Sequence, residues 1–348
     1  MKALIDKLER EHILSHAEFI ALLEHRDAEL SAYLFAKAEA VRQRHYGTDV
    51  YVRGLIEFTN YCKNDCLYCG IRRSNRCAQR YRLTEAEILA CCQQGYDLGY
   101  RTFVLQGGED PLYSAERIRD LVLAIKARWP DCAVTLSFGE HSRTTYRMWR
   151  EAGADRYLLR HETANDDHYR MLHPAQMDPA NRKRCLWDLK DLGYQVGCGF
   201  MVGSPGQTPA TLAKDMVFMQ EFRPQMVGVG PFLPHKDTPF RGEKPGSVEL
   251  TLFVLALCRL MLPGVLLPAT TALGTAEADG RVRGVLAGCN VIMPNLSPAS
   301  VRKKYMLYDN KAGSDLTAEE GIALLRQQME AIGYEVVIGR GDYQEETL

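Results

Sequence analysis

From Tyr51 onward the chain alternates short β-rich runs with helix-length amphipathic segments, and this rhythm restricts the fold more than any other feature. The runs are VRGLIEF, TFVLQ, AVTLSF, RYLLR, VGCGFMV, MVGVGPF, GVLLPA and CNVIMP. Between them lie stretches such as TEAEILACCQQGYDLG and AERIRDLVLAIKARW, long enough for a crossover helix joining parallel strands. Eight such units close a TIM barrel, although a doubly wound open sheet would show the same alternation. The segments at the ends of the runs favour the barrel. TNYCKNDC, GGEDP, GEH, HETAN, GSPGQT, PHKDTP, TTALGT and PNLSP are polar or glycine-rich, and a barrel gathers its strand C-termini on one catalytic rim. The expected fold class is therefore α/β, a TIM (βα)8 barrel with an N-terminal helical extension and a C-terminal helix. Residues 1–48 (LIDKLEREH, FIALLEH, AELSAYLFAKAEAVRQRHYG) read as the extension. Residues 49–348 read as the barrel with its C-terminal helical segment, the last helix spanning Thr317–Gly333.

Charge and composition narrow the partners. With 43 basic against 44 acidic residues, the net charge of -1 leaves no basic footprint for nucleic acid or an anionic membrane. The apolar stretch Leu250–Ala269 is interrupted by Arg259 and broken at Pro263 and Gly264, so it reads as a buried helix and a short strand rather than a membrane span. Eleven cysteines, an odd number in a chain with no secretory stretch after MKALIDKLEREH, place it in the reducing cytoplasm. There, clustered cysteines read as metal ligands or catalysts.

Cys62, Cys66 and Cys69 form CxxxCxxC directly after the first strand. Flanked by Asn60 and Gly70, which permit a tight wrap, three thiolates within eight residues can converge on a metal centre. An iron-sulfur cluster fits; so does a zinc site with Cys77 as a fourth ligand. Cys91, Cys92, Cys132, Cys185, Cys198, Cys258 and Cys289 lie in helical or strand patterns and read as buried thiols.

CxxxCxxC with an aromatic, Tyr68, before the third cysteine resembles the signature of the radical SAM superfamily. The resemblance implies a [4Fe-4S] cluster on Cys62, Cys66 and Cys69, with S-adenosylmethionine chelated to the iron that no cysteine holds. It also implies reductive cleavage of that cofactor to methionine and a 5′-deoxyadenosyl radical. About 40 residues further on, Gly107, Gly108, Glu109 and Asp110 match the superfamily's GGE element, which holds the methionine end of the cofactor. GSPGQT places Gly203 and Gly206 after the fifth strand, where backbone can approach adenine or ribose, or simply turn.

Over most of its length the chain is similar to the [FeFe]-hydrogenase maturase family HydE, in the subgroup with biotin synthase and methylornithine synthase. The carrying strings are FTNYCKNDCLYCGIRRSN, RYRLT, VLQGGEDP, AGADRYLLRHETAN, GSPGQT, GPFLPHKDTP, PATTALGT and NVIMPNLSP. By that resemblance Glu162 and Arg182 grip the amino acid and ribose of the cofactor, with Met293 and Tyr305 as its neighbours. Arg53, Gln106, Thr135, Arg160, Thr270 and Thr271 line the cavity. Two arginines inside a barrel call for an anionic ligand. The family implies an organometallic iron-cysteine species carrying carbon monoxide and cyanide, whose sulfur the radical attacks. Companion hydrogenase maturases and an electron donor such as ferredoxin or flavodoxin are the implied partners. Residues 290–348 contain no cysteine, so no accessory cluster is expected. A mutase of the methylornithine synthase type and a non-enzymatic iron-sulfur carrier are the alternatives.

Overall fold

Strand pairing in the computed structural model, which describes residues 1–343, runs once around a closed parallel barrel; residues 344–348 of the expected C-terminal segment lie outside the described part. The first stave is formed by β1 (Asp49–Val52) and β2 (Gly54–Thr59), interrupted at Arg53. It is followed by β3 (Thr102–Gly107), β4 (Ala133–Ser137), β5 (Arg156–Leu158) and β6 (Gln195–Cys198), each parallel to the last. Two further pieces, β7 (Met201–Val202) and β9 (Gly230–Pro231), extend the fifth and sixth staves, the sixth beginning with β8 (Met226–Val227). Gly199 allows the break between β6 and β7: its φ is +148°, and a Cβ there would lie 2.1 Å from the Gly228 carbonyl oxygen.

Parallel bridges Met226 to Leu266, Pro268 to Val291 in β10 (Val291–Ile292), and Leu55 to Asn295 complete the circle. The run GVLLPA therefore serves as the seventh stave through isolated bridges rather than a regular strand, because Pro268 has no N–H for the ladder. One strand was not expected: β11 (Glu335–Val337) pairs in parallel with β1 at the base of the first stave.

The N-terminal residues form helices Lys2–Glu11, His16–Glu24 and Ala28–Tyr46. Ser15 and Glu18 cap the second reciprocally, a device typically worth about 1 kcal/mol. The second and third pack on helices Pro209–Phe222 and Val248–Met261. Val248–Met261 is the apolar stretch of the sequence. Its Arg259 is fully buried yet satisfied, donating to the carbonyls of Gly288 (2.8 Å) and Pro263 (2.6 Å) and to Asn290 Oδ1 (3.0 Å). Among the described residues no helix is long and apolar enough to cross a membrane. The last helix runs Ala318–Glu330, capped by Thr317 and Glu320.

At the N-terminal end of the strands the barrel is shut by its own C-terminal residues. Arg156, on β5, points down the axis and donates to Gln195 Oε1, Thr102 Oγ1, the carbonyls of Arg340 and Gly341, and Asp342 Oδ1 (2.6 Å). The other end stays open.

Candidate active site

The open end holds a cavity of about 280 Å³. Its lower wall is the loop after β2, whose shape is fixed by side chains that bond to main chain. Asn60 donates to the carbonyls of Gln79 (2.9 Å) and Lys304 (2.7 Å) and accepts from the Tyr81 N–H. Arg80 donates to four carbonyls, those of Asn60, Ile71, Arg72 and Asn75. So constrained, the loop presents Cys62, Cys66 and Cys69 to one cavity.

These thiols are electrostatically frustrated without a cation. Burial pushes all three up, Cys66 far and Cys69 to about 12, with the neighbouring cysteines adding to the shift on Cys66 and Cys69. A bound metal centre removes that frustration by holding the thiolates. Among the described residues no three Cys, His, Asp or Glu side chains are gathered closely enough to hold a single metal ion. Cys77 does not join them. It is exposed and borders an external groove, while the other seven cysteines are buried in the core as expected.

GGED follows β3 and braces the loop. A Cβ on Gly108 would lie 2.2 Å from the Tyr61 carbonyl oxygen and 2.7 Å from Cys62 Cβ, so only glycine lets the loop approach. Glu109 accepts from the Glu140 N–H (3.0 Å) and pairs with Lys63 (3.0 Å), and its main-chain carbonyl accepts from the Lys63 N–H. Asp110 takes a two-point contact from Arg82 (2.6 and 3.0 Å) and a bond from Thr59 (2.7 Å); these outweigh burial and hold its carboxyl below its ordinary value.

Across the cavity sits Glu162, at the end of the fourth stave. It is a non-glycine residue at φ +65°, buried, with Oε2 accepting from Arg160 Nη2 at 2.7 Å. A carboxylate held in the left-handed region inside a pocket is strain of the kind that gathers at functional positions. Arg182 reaches the same cavity from helix Pro179–Asp191 and is oriented by Glu140 at 2.6 Å. Tyr68 lies against His173, ring centroids 5.5 Å apart, with its hydroxyl 3.2 Å from His173 Nε2. Tyr305 is buried and receives Gln106 Nε2 at 3.4 Å.

Thus Cys62, Cys66, Cys69, Tyr68, Gly107, Gly108, Glu109, Glu162, Arg182, Tyr305, Gln106, Arg160 and Thr270 line one cavity. Four expected residues do not. Arg53 and Thr135 lie deeper in the barrel: Arg53 sits at the break between β1 and β2, touches Met226 Sδ (3.0 Å), and has Nε and Nη2 unpartnered, while Thr135 Oγ1 is likewise buried without a partner. Thr271 and Met293 border a separate, smaller cavity, because Thr270 caps helix Thr271–Ala276 and the chain turns between the two threonines. Gly203 and Gly206 also stay outside; Gln207 folds back to the Gly203 N–H (2.6 Å) and the Met201 carbonyl (2.9 Å), a plain turn. Sequence reasoning missed Asn64, Ser137, Met201, Leu233, Leu307 and Tyr308. Ser137 was within reach of it, since it ends β4 and shares a register with Gln106.

Residues 56–219 match the model of the Radical SAM superfamily. The chain is 46% identical over 310 residues to the "[FeFe] hydrogenase maturase subunit HydE" of Thermotoga maritima, covering 89% of this chain and 88% of the relative.

The chain belongs to the radical SAM superfamily.

It is 31% identical to the 3-methylornithine synthase of Methanosarcina acetivorans over 85% of this chain and 83% of that protein. The solved structure of methylornithine synthase (PylB) superposes with a TM-score of 0.84 at 29% identity, covering 96% of this chain and 97% of that one. As a radical SAM enzyme and a HydE homologue, the chain works with a [4Fe-4S] cluster and S-adenosylmethionine. The residues fit that pair: three half-buried thiols on one braced loop, a glycine turn no side chain could occupy, and facing them a strained carboxylate and a buried arginine.

Proposed function

We propose that this enzyme acts as the maturase HydE in assembling the di-iron centre of an [FeFe]-hydrogenase, in the reducing cytoplasm. The observation that carries the proposal is 46% identity to a HydE across nearly the whole chain, against 31% to the methylornithine synthase. The substrate is a small iron-bound cysteine complex delivered by a companion maturase, and a protein such as ferredoxin or flavodoxin supplies electrons.

Cys62, Cys66 and Cys69 hold the cluster, and Glu162, Arg182, Glu109, Tyr68, Tyr305 and the backbone of Gly107 and Gly108 hold S-adenosylmethionine. When bound and reduced by one electron, these two groups supply a 5′-deoxyadenosyl radical. The chain does the placing and the shielding. Gln106, Arg160 and Thr270 offer hydrogen-bond donors to an anionic substrate, and Arg160 still has a buried Nε without a partner after serving Glu162. Leu158, Met201, Pro231 and Leu233 give the cavity an apolar side that excludes water and stray hydrogen donors. Below them the unpartnered donors of Arg53 and Thr135 extend the anion-seeking lining into the barrel.

The test is the fate of the substrate. Reduced enzyme given S-adenosylmethionine and the iron-cysteine complex should yield an adenosyl group bonded to the cysteine sulfur, read by mass spectrometry of the quenched mixture. A rearranged isomer of a free amino acid, with no adenosylated cysteine, would make the enzyme a mutase of the methylornithine synthase type.

A further inference from the structure

The GPFLPHKDTP segment has no place in the cavity chemistry, yet its His235 lies directly against the cluster loop. A Cβ built on Gly70 would fall 2.3 Å from His235 Cδ2 and 2.1 Å from the Met306 carbonyl oxygen, so the ring rests on the bare α-carbon of the residue after Cys69. Cys69 faces the inner cavity, whereas Gly70 and His235 face an external groove of about 640 Å³. On this side Gly70 and the His235 ring therefore lie between Cys69 and the groove.

The rim of the groove is cationic. Lys236, Lys303 and Lys304 border it, Lys303 being paired with Asp315, and the exposed Arg73 and Arg76 lie on the same loop as its bordering residues Asn75 and Cys77. Its acidic members are Asp309, already occupied by the Lys236 N–H (2.8 Å) and facing His235 (3.9 Å), and Asp237. A chain with a net charge of -1 thus places more basic than acidic side chains around a groove that reaches the residue after Cys69.

We propose that this groove is the docking surface for an acidic one-electron donor protein, which reduces the cluster through the Gly70 and His235 wall. The proposal rests on the cofactor reading above. One electron leaves the donor and one is gained by the cluster; no bond is made or broken. Electron-transfer encounters are small, and their rates follow charge complementarity and ionic strength, which suits a groove ringed by lysines rather than a broad apolar face.

The test compares the reconstituted wild type with Lys236→Glu/Lys303→Glu/Lys304→Glu, using reduced acidic ferredoxin as the probe and dithionite as a small reductant that needs no docking. The charge reversal should weaken ferredoxin binding at low salt by about tenfold or more, a difference that shrinks at high ionic strength. Reduction by dithionite, followed as loss of visible cluster absorbance, should be unchanged. A second arm leaves the lysines alone: a bulky maleimide on exposed Cys77 should block reduction by ferredoxin but not by dithionite. Ferredoxin affinity indifferent to both changes, or heparin bound as tightly as ferredoxin, overturns the docking surface. Wild-type protein that accepts no electron from dithionite overturns the cofactor reading itself.

Discussion

Arg156 and Arg160 sit four residues apart on one stave, both directed into the barrel, and their surroundings could hardly differ more. At the base, Arg156 is fully buried with every guanidinium nitrogen bonded to the protein, to Gln195, Thr102, the C-terminal carbonyls and Asp342. At the mouth, Arg160 gives one bond to Glu162 and keeps Nε unpartnered. Arg53, between the two levels, has two unpartnered nitrogens. Burying an unsatisfied charged donor is expensive, so a structural arginine shows itself by saturation and a ligand-facing one by what it has left over. The same contrast holds for the barrel ends as wholes: the floor is closed by chain, whereas the mouth is open and lined by strained or frustrated groups.

The sharpest break of this comparison is at the mouth. Replacing Cys62, Cys66 or Cys69 by alanine should remove most iron and all cleavage of S-adenosylmethionine, while the thermal transition of the metal-free protein barely moves. Cys77→Ala should keep its iron. Retained iron in any of the three variants, or loss in Cys77→Ala, counts against the three-cysteine centre.

Next in size is the floor. Arg156→Met takes a donor from the carbonyls of Arg340 and Gly341 and leaves Asp342 with only Arg340 and Gln195, and removing one partner of a buried ion pair typically costs about 3–5 kcal/mol. Because Asp342 is partly exposed, the lower end of that range is expected. Denaturant unfolding should show the loss, and titration of the folded protein should show S-adenosylmethionine affinity unchanged. An affinity that falls in step with stability would mean that the two ends are coupled and that the contrast is false.

Glu162→Ala and Arg182→Ala should reverse that pattern. On the proposed cofactor role each would remove charge-assisted hydrogen bonds worth about 1.5–3 kcal/mol, or roughly ten- to a hundredfold in affinity by calorimetry. Glu162→Ala leaves the backbone strain at φ +65° in place, since alanine is no freer there than glutamate. Unchanged affinity would remove these side chains from the cofactor site.

How much of this the sequence disclosed is explained by the same contrast. Local chemistry was legible. CxxxCxxC, GGED and Glu162 depend on residue type at a strand end, and in a parallel barrel all strand ends meet. Position along the strand was also legible: Arg53 is the second residue of VRGLIEF, far from the strand's C-terminal end, and Thr135 lies two residues before the cavity-lining Ser137. What the sequence hid depends on distant partners. Nothing in RYLLR distinguishes Arg156 from Arg160, because the groups that saturate Arg156 come from residues 340–342, at the far end of the chain. The same is true of β11, a three-residue strand recognisable only through its pairing with β1. Thr271 and Met293 show a third limit, since adjacency to Thr270 or to a strand end does not say which of two cavities a side chain enters.

The smallest expected effect separates the two ends by pH. His141 packs among Phe138, Tyr146 and Trp149 beside the mouth, and burial lowers it to about 4; burial does the same to His173, behind Tyr68. An unfolded histidine titrates near 6.5, so between about 6.5 and 4 the unfolded state binds more protons than the folded one. Stability must then fall as pH drops through that window, by up to about 1.4 kcal/mol per pH unit for each histidine. The floor loses stability in the same direction but in a lower window. Burial alone would raise Asp342, but Arg340 and Arg156 prevail and hold it at about 2, so its contribution is complete above the ordinary carboxylate range and is lost only below about pH 4. Hydrogen exchange at pH 5 should therefore show amides of residues 138–146 losing protection while those of β5 keep theirs. In His141→Phe, which preserves the aromatic packing and cannot be protonated, the loss around residues 138–146 should largely disappear. If both ends lose protection together, or the phenylalanine variant keeps the wild-type pH dependence, the mouth is not the acid-sensitive end.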